Sequence, residues 1–146
     1  MIVGQALESV GLTDVTHAHP YELSGGMQQR VAIARAVAYQ PQLLIMDEPF
    51  AAVDAQTRAD LEDLTLTLQR QTGATILFVT HDVDEAVYLS DQVVVMSASP
   101  STVRAIVPVD LPRDRDQITT KSEPQFTQLR RDILTMIKRP SAQPVS

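Results

Sequence analysis

The sequence predicts an α/β fold with a parallel sheet and crossover helices, and three observations predict it. Three short apolar runs, Leu43 to Met46, Thr75 to Val79 and Gln92 to Met96, have the length and side chains of strands. Stretches with helical spacing, Asp54 to Gln71 and Asp82 to Leu89, lie between them. Strand, helix, strand, helix, strand in that order implies parallel strands joined by right-handed crossovers.

Each element has a local reason. Gln5 to Val10 carries a short helical pattern with no cap before it, and Gly11 suits the left-handed conformation that ends helices. His17-Ala18-His19-Pro20 reads as a loop, because Pro20 pushes His19 out of the helical region. Its two histidines have no carboxylate or cysteine spacing that suits a metal. Good helix formers run from Gly26 to Tyr39, with Val31, Ala34 and Ala38 on one face, and Pro41 stops them.

The run Leu43-Leu44-Ile45-Met46 lies between a proline and a carboxylate pair and looks like a buried parallel strand. Asp54 can cap a helix that places Leu61, Leu64 and Leu68 on one face and closes at Gly73. Beyond Ser97, Pro100, Pro108 and Pro112 mark loops and edge strands, and Phe126 to Ile137 reads as one amphipathic helix. One domain is expected over 1–139, with 140–146 a disordered tail.

The chain has 146 residues, enough for one domain of the usual ~100–150 residues. Its formal charge of -6 argues against nucleic acid as the main partner, since a phosphate backbone needs a concentrated Lys/Arg surface. The absence of cysteine excludes disulfides and thiolate metal sites, in keeping with a reducing compartment. No apolar run approaches the ~18–20 residues that span a bilayer, and Met1-Ile2-Val3-Gly4-Gln5 has no basic region of a signal peptide. A cytoplasmic chain is the expectation.

Three sites carry candidate chemistry. Leu23-Ser24-Gly25-Gly26-Met27 places two glycines and a serine before a long helix, where unpaired amides and a hydroxyl can face a phosphate; a plain cap and turn uses the same residues. Asp47-Glu48 ends an apolar strand, where one carboxylate can orient hydrated Mg²⁺ and its neighbour a water. That is the edge at which open parallel sheets bind ligands, although an acidic turn would look alike. His81 follows the next strand, so adjacent parallel strands would carry it to the same edge; a structural histidine or a cap is the alternative. Asp54 reads as an N-cap and can have a second role.

These pieces in this order resemble the ATP-binding cassette family over nearly the whole chain. Leu23 to Met27 looks like its signature motif, Leu43 to Glu48 its Walker B strand, Val53-Asp54 its D-loop and His81 its switch histidine. Met46-Asp47-Glu48-Pro49-Phe50 followed by Asp54-Ala55-Gln56-Thr57-Arg58 is similar to the importers of nitrate, sulfonate and taurine. Met27 replaces the more widespread glutamine, as is usual in that subfamily, and Ala51 stands where glycine is more frequent.

The resemblance implies a P-loop NTPase fold with ATP and Mg²⁺ as cofactors. By position, Asp47 would orient Mg²⁺, Glu48 would be general base for the attacking water, and His81 would contact the γ-phosphate. Ser24, Gly25 and Gly26 would cap ATP bound on a second ATPase subunit, and Asp54 would communicate across that interface. The other implied partners are membrane permease subunits and, indirectly, a periplasmic or extracellular solute-binding protein, with the ATPase on the cytoplasmic membrane face.

The family's phosphate loop, G-x-x-x-x-G-K-[ST], does not occur in these 146 residues. The expectation is a C-terminal piece of an importer ATPase, missing its P-loop portion and inactive alone. An interaction module that caps a partner's ATP, or a piece of a soluble repair or translation ATPase, are the alternatives. Strand edges and apolar faces that the missing part would cover are expected to be exposed.

Overall fold

The computed structural model describes residues 2–138, and the expected tail at 140–146 lies outside them. The chain divides between Thr80 and His81 into two units. In the first, α1 (Ile2–Ser9) packs on α2 (Gly25–Val37), with two 3-10 turns between them, Thr13–Val15 and Pro20–Glu22. Ala6, Val10, Leu12, Ile33 and Ala34 are buried there, while Val31 and Ala38 are half-buried. Arg30 reaches back to close the end of α1, its Nη1 donating to the Val10 carbonyl at 2.9 Å.

Next come β1 (Leu43–Asp47), α3 (Ala55–Thr72) and β2 (Thr75–Val79), with the strands paired in parallel from Leu43 opposite Thr75 to Asp47 opposite Val79. The Asp54 side chain caps α3, and Gly73 ends it at φ 66°, a left-handed conformation that costs glycine little. Strand alternation decides what these apolar runs bury. Leu44, Met46 and Ile76 share an apolar cleft with Val37 of α2 and with Leu68 and Thr72 of α3.

The other face carries Leu43, Ile45, Leu77 and Val79, which are 55%, 61%, 51% and 44% exposed. The sequence reads β1 as a buried strand; among the described residues its helices cover one face, and the apolar character of the other remains open to solvent. That outcome agrees with the expectation of exposed apolar faces.

The second unit runs α4 (Val83–Leu89), β3 (Gln92–Met96), β4 (Val103–Pro108), α5 (Thr119–Ser122) and α6 (Pro124–Lys138). Val87 and Tyr88 of α4, Val93 and Val95 of β3, and Phe126 and Ile133 of α6 form its core. Arg115 gathers the carbonyls at the end of α4, donating from Nη1 to Tyr88 at 2.7 Å and Ser90 at 3.0 Å.

The third apolar run is a strand, as expected, but its pairing differs. Among the described residues β3 pairs with β4, antiparallel, and the parallel pair is β1 with β2. The reason is the connection: Ser97 to Thr102 is shorter than the dozen or so residues of a parallel crossover. Ser97 closes it as a hairpin, its N–H donating to the Thr102 carbonyl at 2.8 Å and its Oγ accepting the Thr102 N–H at 2.9 Å.

Candidate functional site

Ser24 is the N-cap of α2. Its backbone is extended, its Oγ accepts the Met27 N–H at 3.2 Å, and its carbonyl accepts the Gln28 N–H at 2.8 Å. The amides of Gly25 and Gly26 open the helix and have no carbonyl one turn behind them. The Ser24 hydroxyl, used here as an acceptor, keeps its proton to donate. The chain leading in is tied down as well: Gln28 Nε2 donates to the carbonyls of Pro20 at 3.0 Å and Leu23 at 3.2 Å, and the His19 N–H donates to Glu22 Oε2 at 2.7 Å.

The two glycines differ in what surrounds them. Gly25 is exposed, and a Cβ on it would meet nothing within 4 Å. A Cβ on Gly26 would lie 2.6 Å from Thr57 Cγ2, closer than two carbons approach. Gly26 is therefore glycine for packing, while among the described residues nothing crowds a side chain at position 25. Two amide donors and a hydroxyl around an uncovered backbone suit a phosphate oxygen, so this turn fits the nucleotide that the sequence implies.

Asp47 closes β1, exposed and opposite Val79. Glu48 adds one more bond to the parallel pair, its N–H donating to the Val79 carbonyl at 2.8 Å, and then turns at φ 46°. A non-glycine residue held left-handed costs of order 1–3 kcal/mol and persists only where its surroundings fix it. The chain around it is anchored on both sides, by the Glu48 N–H bond and by Phe50, which is 1% exposed with its ring 5.3 Å from that of Phe78 on β2. The corner thus sends two successive carboxylates off the C-terminal end of the parallel pair. Asp47, an exposed oxygen donor at a strand end, suits a hydrated Mg²⁺ ion, which keeps waters and takes few protein ligands.

Asp54 caps α3 through one residue. Its Oδ1 accepts the Thr57 N–H at 3.0 Å and its Oδ2 accepts the Thr57 hydroxyl at 2.7 Å. The backbone bond from Thr57, and after it the hydroxyl, hold the Asp54 carboxyl below its ordinary pKa of 3.8. His81 stands two residues past β2, exposed, and opens the second unit next to Asp82, the N-cap of α4.

Within the first unit, then, Ser24, Gly25 and Gly26 come together with Asp54 through Thr57, and Asp47 stands with Glu48 at the end of β1. His81 belongs to the other unit. Sequence reasoning passed over Thr57 and Gln28. Thr57 has a signal, a hydroxyl residue three places after an N-cap carboxylate; Gln28, whose amide reaches back across the loop, has none.

The chain is similar to known ATP-binding cassette proteins. The ABC transporter family model matches residues 2–51, which include the Ser24 turn and the Asp47-Glu48 corner. The nitrate import ATP-binding protein NrtD of Synechococcus elongatus is 43% identical over 141 residues, covering 94% of this chain and 51% of its own length. An aliphatic sulfonates import ATP-binding protein, SsuB 1 of Xanthomonas axonopodis, is 48% identical over 135 residues, covering 92% of this chain and 53% of its own length.

A solved ABC transporter in an inward-facing conformation matches with a TM-score of 0.61 at 30% identity, over 64% of this chain and 37% of that one. The chain spans about half the length of the curated relatives it matches. Among the described residues, no helix is long and apolar enough to cross a membrane. The signature turn, the strand ending in paired carboxylates and these similarities together show that the chain belongs to the ATP-binding cassette family, with relatives among the ATP-binding proteins of nitrate and sulfonate importers.

Proposed function

We propose that this chain is the part of an importer ATPase that completes a nucleotide site on a second cassette subunit. The observation that carries the reading is the Ser24 turn: two leading amides and a hydroxyl, with no Cβ on the open side of Gly25. That donor set suits the terminal phosphates of ATP held by a partner, and it uses residues that this chain contains.

In the same reading, ATP and its Mg²⁺ would supply the transferable phosphoryl group and its charge neutralisation. Asp47 would hold the hydrated ion and Glu48 would take a proton from the attacking water at its carboxylate, while His81, carried by the second unit, would donate a hydrogen bond to the γ-phosphate. Asp54, at the base of α3, keeps the capping edge in register across the subunit interface. The importer context follows the nitrate and sulfonate relatives. It implies a small anion such as nitrate, sulfonate or taurine as cargo, permease subunits as membrane partners, a solute-binding protein beyond them, and a place on the cytoplasmic membrane face.

Sedimentation of this chain with an intact cassette ATPase tests the reading. With ATP and Mg²⁺ the two are expected to associate, and Ser24→Ala is expected to weaken the complex about tenfold, as loss of a hydrogen bond to a charged group should. Association that ignores both nucleotide and Ser24 would overturn it.

A further inference from the structure

The Ser24 turn and Asp54 lie at the N-termini of two different helices, α2 and α3, and one side chain connects them. Thr57 stands in the first turn of α3. Its N–H and hydroxyl are both held by the Asp54 carboxylate, at 3.0 Å and 2.7 Å. Two bonds to one carboxylate leave the side chain a single rotamer, because turning χ1 breaks the hydroxyl bond. The methyl then has one place to go, and it packs against Gly26, so closely that a Cβ there would stand 2.6 Å from it. The Thr57 Cβ and Oγ1 would both be 3.8 Å from the same point, an ordinary contact, so the methyl alone creates the exclusion.

We propose that Thr57 is a positioning residue that locks the Ser24–Gly25–Gly26 turn to Asp54, so that two helix N-termini move as one edge. The proposal rests on the reading of that edge as the surface that caps a partner's ATP. Its logic is a chain of three contacts. Asp54 sets the Thr57 rotamer, the Thr57 methyl sets the height of α2 above α3, and that height sets where the Gly25 and Gly26 amides point. Gln28 braces the other side of the same turn by holding the carbonyls of Pro20 and Leu23. A change at Asp54 is thereby felt at the amides without any contact between Asp54 and a nucleotide.

A double-substitution cycle on the full chain tests the lock. Gly26→Ala forces a methyl against a methyl and is expected to lower the thermal midpoint by about 4 °C or more, as overpacking does. Thr57→Ser keeps the hydroxyl bond and removes the methyl. By itself it should lower the midpoint slightly; in the Gly26→Ala background it should raise it, because the excluded space reopens. That reversal of sign is the expected result, and losses that simply add would overturn the lock.

The same four chains are then compared for ATP-dependent association with an intact cassette ATPase. Gly26→Ala is expected to weaken it about tenfold, and Thr57→Ser in that background to restore it to within about twofold of Thr57→Ser alone. Thr57→Val, which keeps the branched shape and loses the bond to Asp54, is the milder variant should Gly26→Ala not fold. It should weaken association while the chain still melts cooperatively, and unchanged association would overturn a positioning role. If the unaltered chain does not associate at all, the capping reading fails, while the midpoint cycle still decides whether the two helices are locked.

Discussion

Asp54 and Asp116 do the same local work in the two units, and the comparison shows what separates a cap from a site. Asp54 accepts the N–H and hydroxyl of Thr57; Asp116 accepts the N–H groups of Ile118 and Thr119 and the hydroxyl of Thr119. Backbone donors hold both carboxyls below the ordinary 3.8, those of Thr57 for Asp54 and of Thr119 then Ile118 for Asp116. The difference begins one residue further on. Thr57 bears on Gly26 of another helix, whereas the bonds around Asp116 return to its own neighbourhood, Thr120 Oγ1 accepting the Asp116 N–H at 2.9 Å. Similar carboxylate chemistry therefore has unequal reach.

The largest effect sought lies in the first unit. With this sequence carried in a full-length cassette ATPase, Glu48→Gln is expected to leave ATP binding intact and cut turnover by about 100-fold or more, the usual cost of losing a positioned base. Equilibrium binding and steady-state hydrolysis measure the two halves of that statement. Unchanged turnover would remove Glu48 from the role and the chemistry from this end of β1.

Substitution of Asp54 and Asp116 by alanine breaks the comparison most directly. Both variants should melt earlier by similar amounts, since each loses the N–H and hydroxyl bonds its carboxylate accepts. Only Asp54→Ala should also weaken ATP-dependent association with a cassette partner, by about tenfold, if its reach to Gly26 counts. Equal losses of association would dissolve the distinction between the two regions.

Arg115→Met extends the contrast to a structural cation. Burial, partly opposed by the nearby Asp91 carboxylate and then by Tyr88, lowers the pKa of this guanidinium, which spends its hydrogen bonds on the carbonyls of Tyr88, Ser90 and Pro112. Its removal leaves those acceptors to half-buried surroundings and should cost about 1–3 kcal/mol in chemical denaturation, with association unchanged.

The smallest expected effect is in pH. The folded-state pKa of each of these two carboxyls lies below 3.8, so the stability it adds is complete above the unfolded value and is lost as pH falls through the lower folded value. The midpoint gap between wild type and Asp54→Ala should therefore be flat at neutral pH and close on acidification below 3.8. A gap that closes between pH 7 and 5 would assign it to another group.

Much of this was legible before any coordinates, where the cause is local. Asp54 caps and Gly73 closes the same helix because N-cap oxygens and left-handed glycines act within a turn of the chain. Ser24 likewise shows in the sequence as a hydroxyl before a helix, although α2 starts at Gly25, one residue earlier than the pattern suggests.

The pairing of β3 escaped that reading, since an apolar run records that a strand is wanted and not which neighbour completes it. The short link from Ser97 to Thr102 held the answer. The burial of β1 was half legible: alternation explains why Met46 is covered and Ile45 is 61% exposed, but which face a helix takes is a tertiary fact. Thr57 was half legible too: its bond to Asp54 is local, but its meeting with Gly26 joins residues distant in sequence.

The central claim is that Ser24, Gly25 and Gly26 serve ATP on another subunit, and ATP turnover by a mixed assembly tests it most directly. A cassette ATPase with an intact phosphate loop, its own signature serine replaced by alanine, is assayed with and without this chain. Added chain is expected to raise turnover in a saturable way, and Ser24→Ala to abolish the increase. No increase, or an equal increase with Ser24→Ala, would contradict the account.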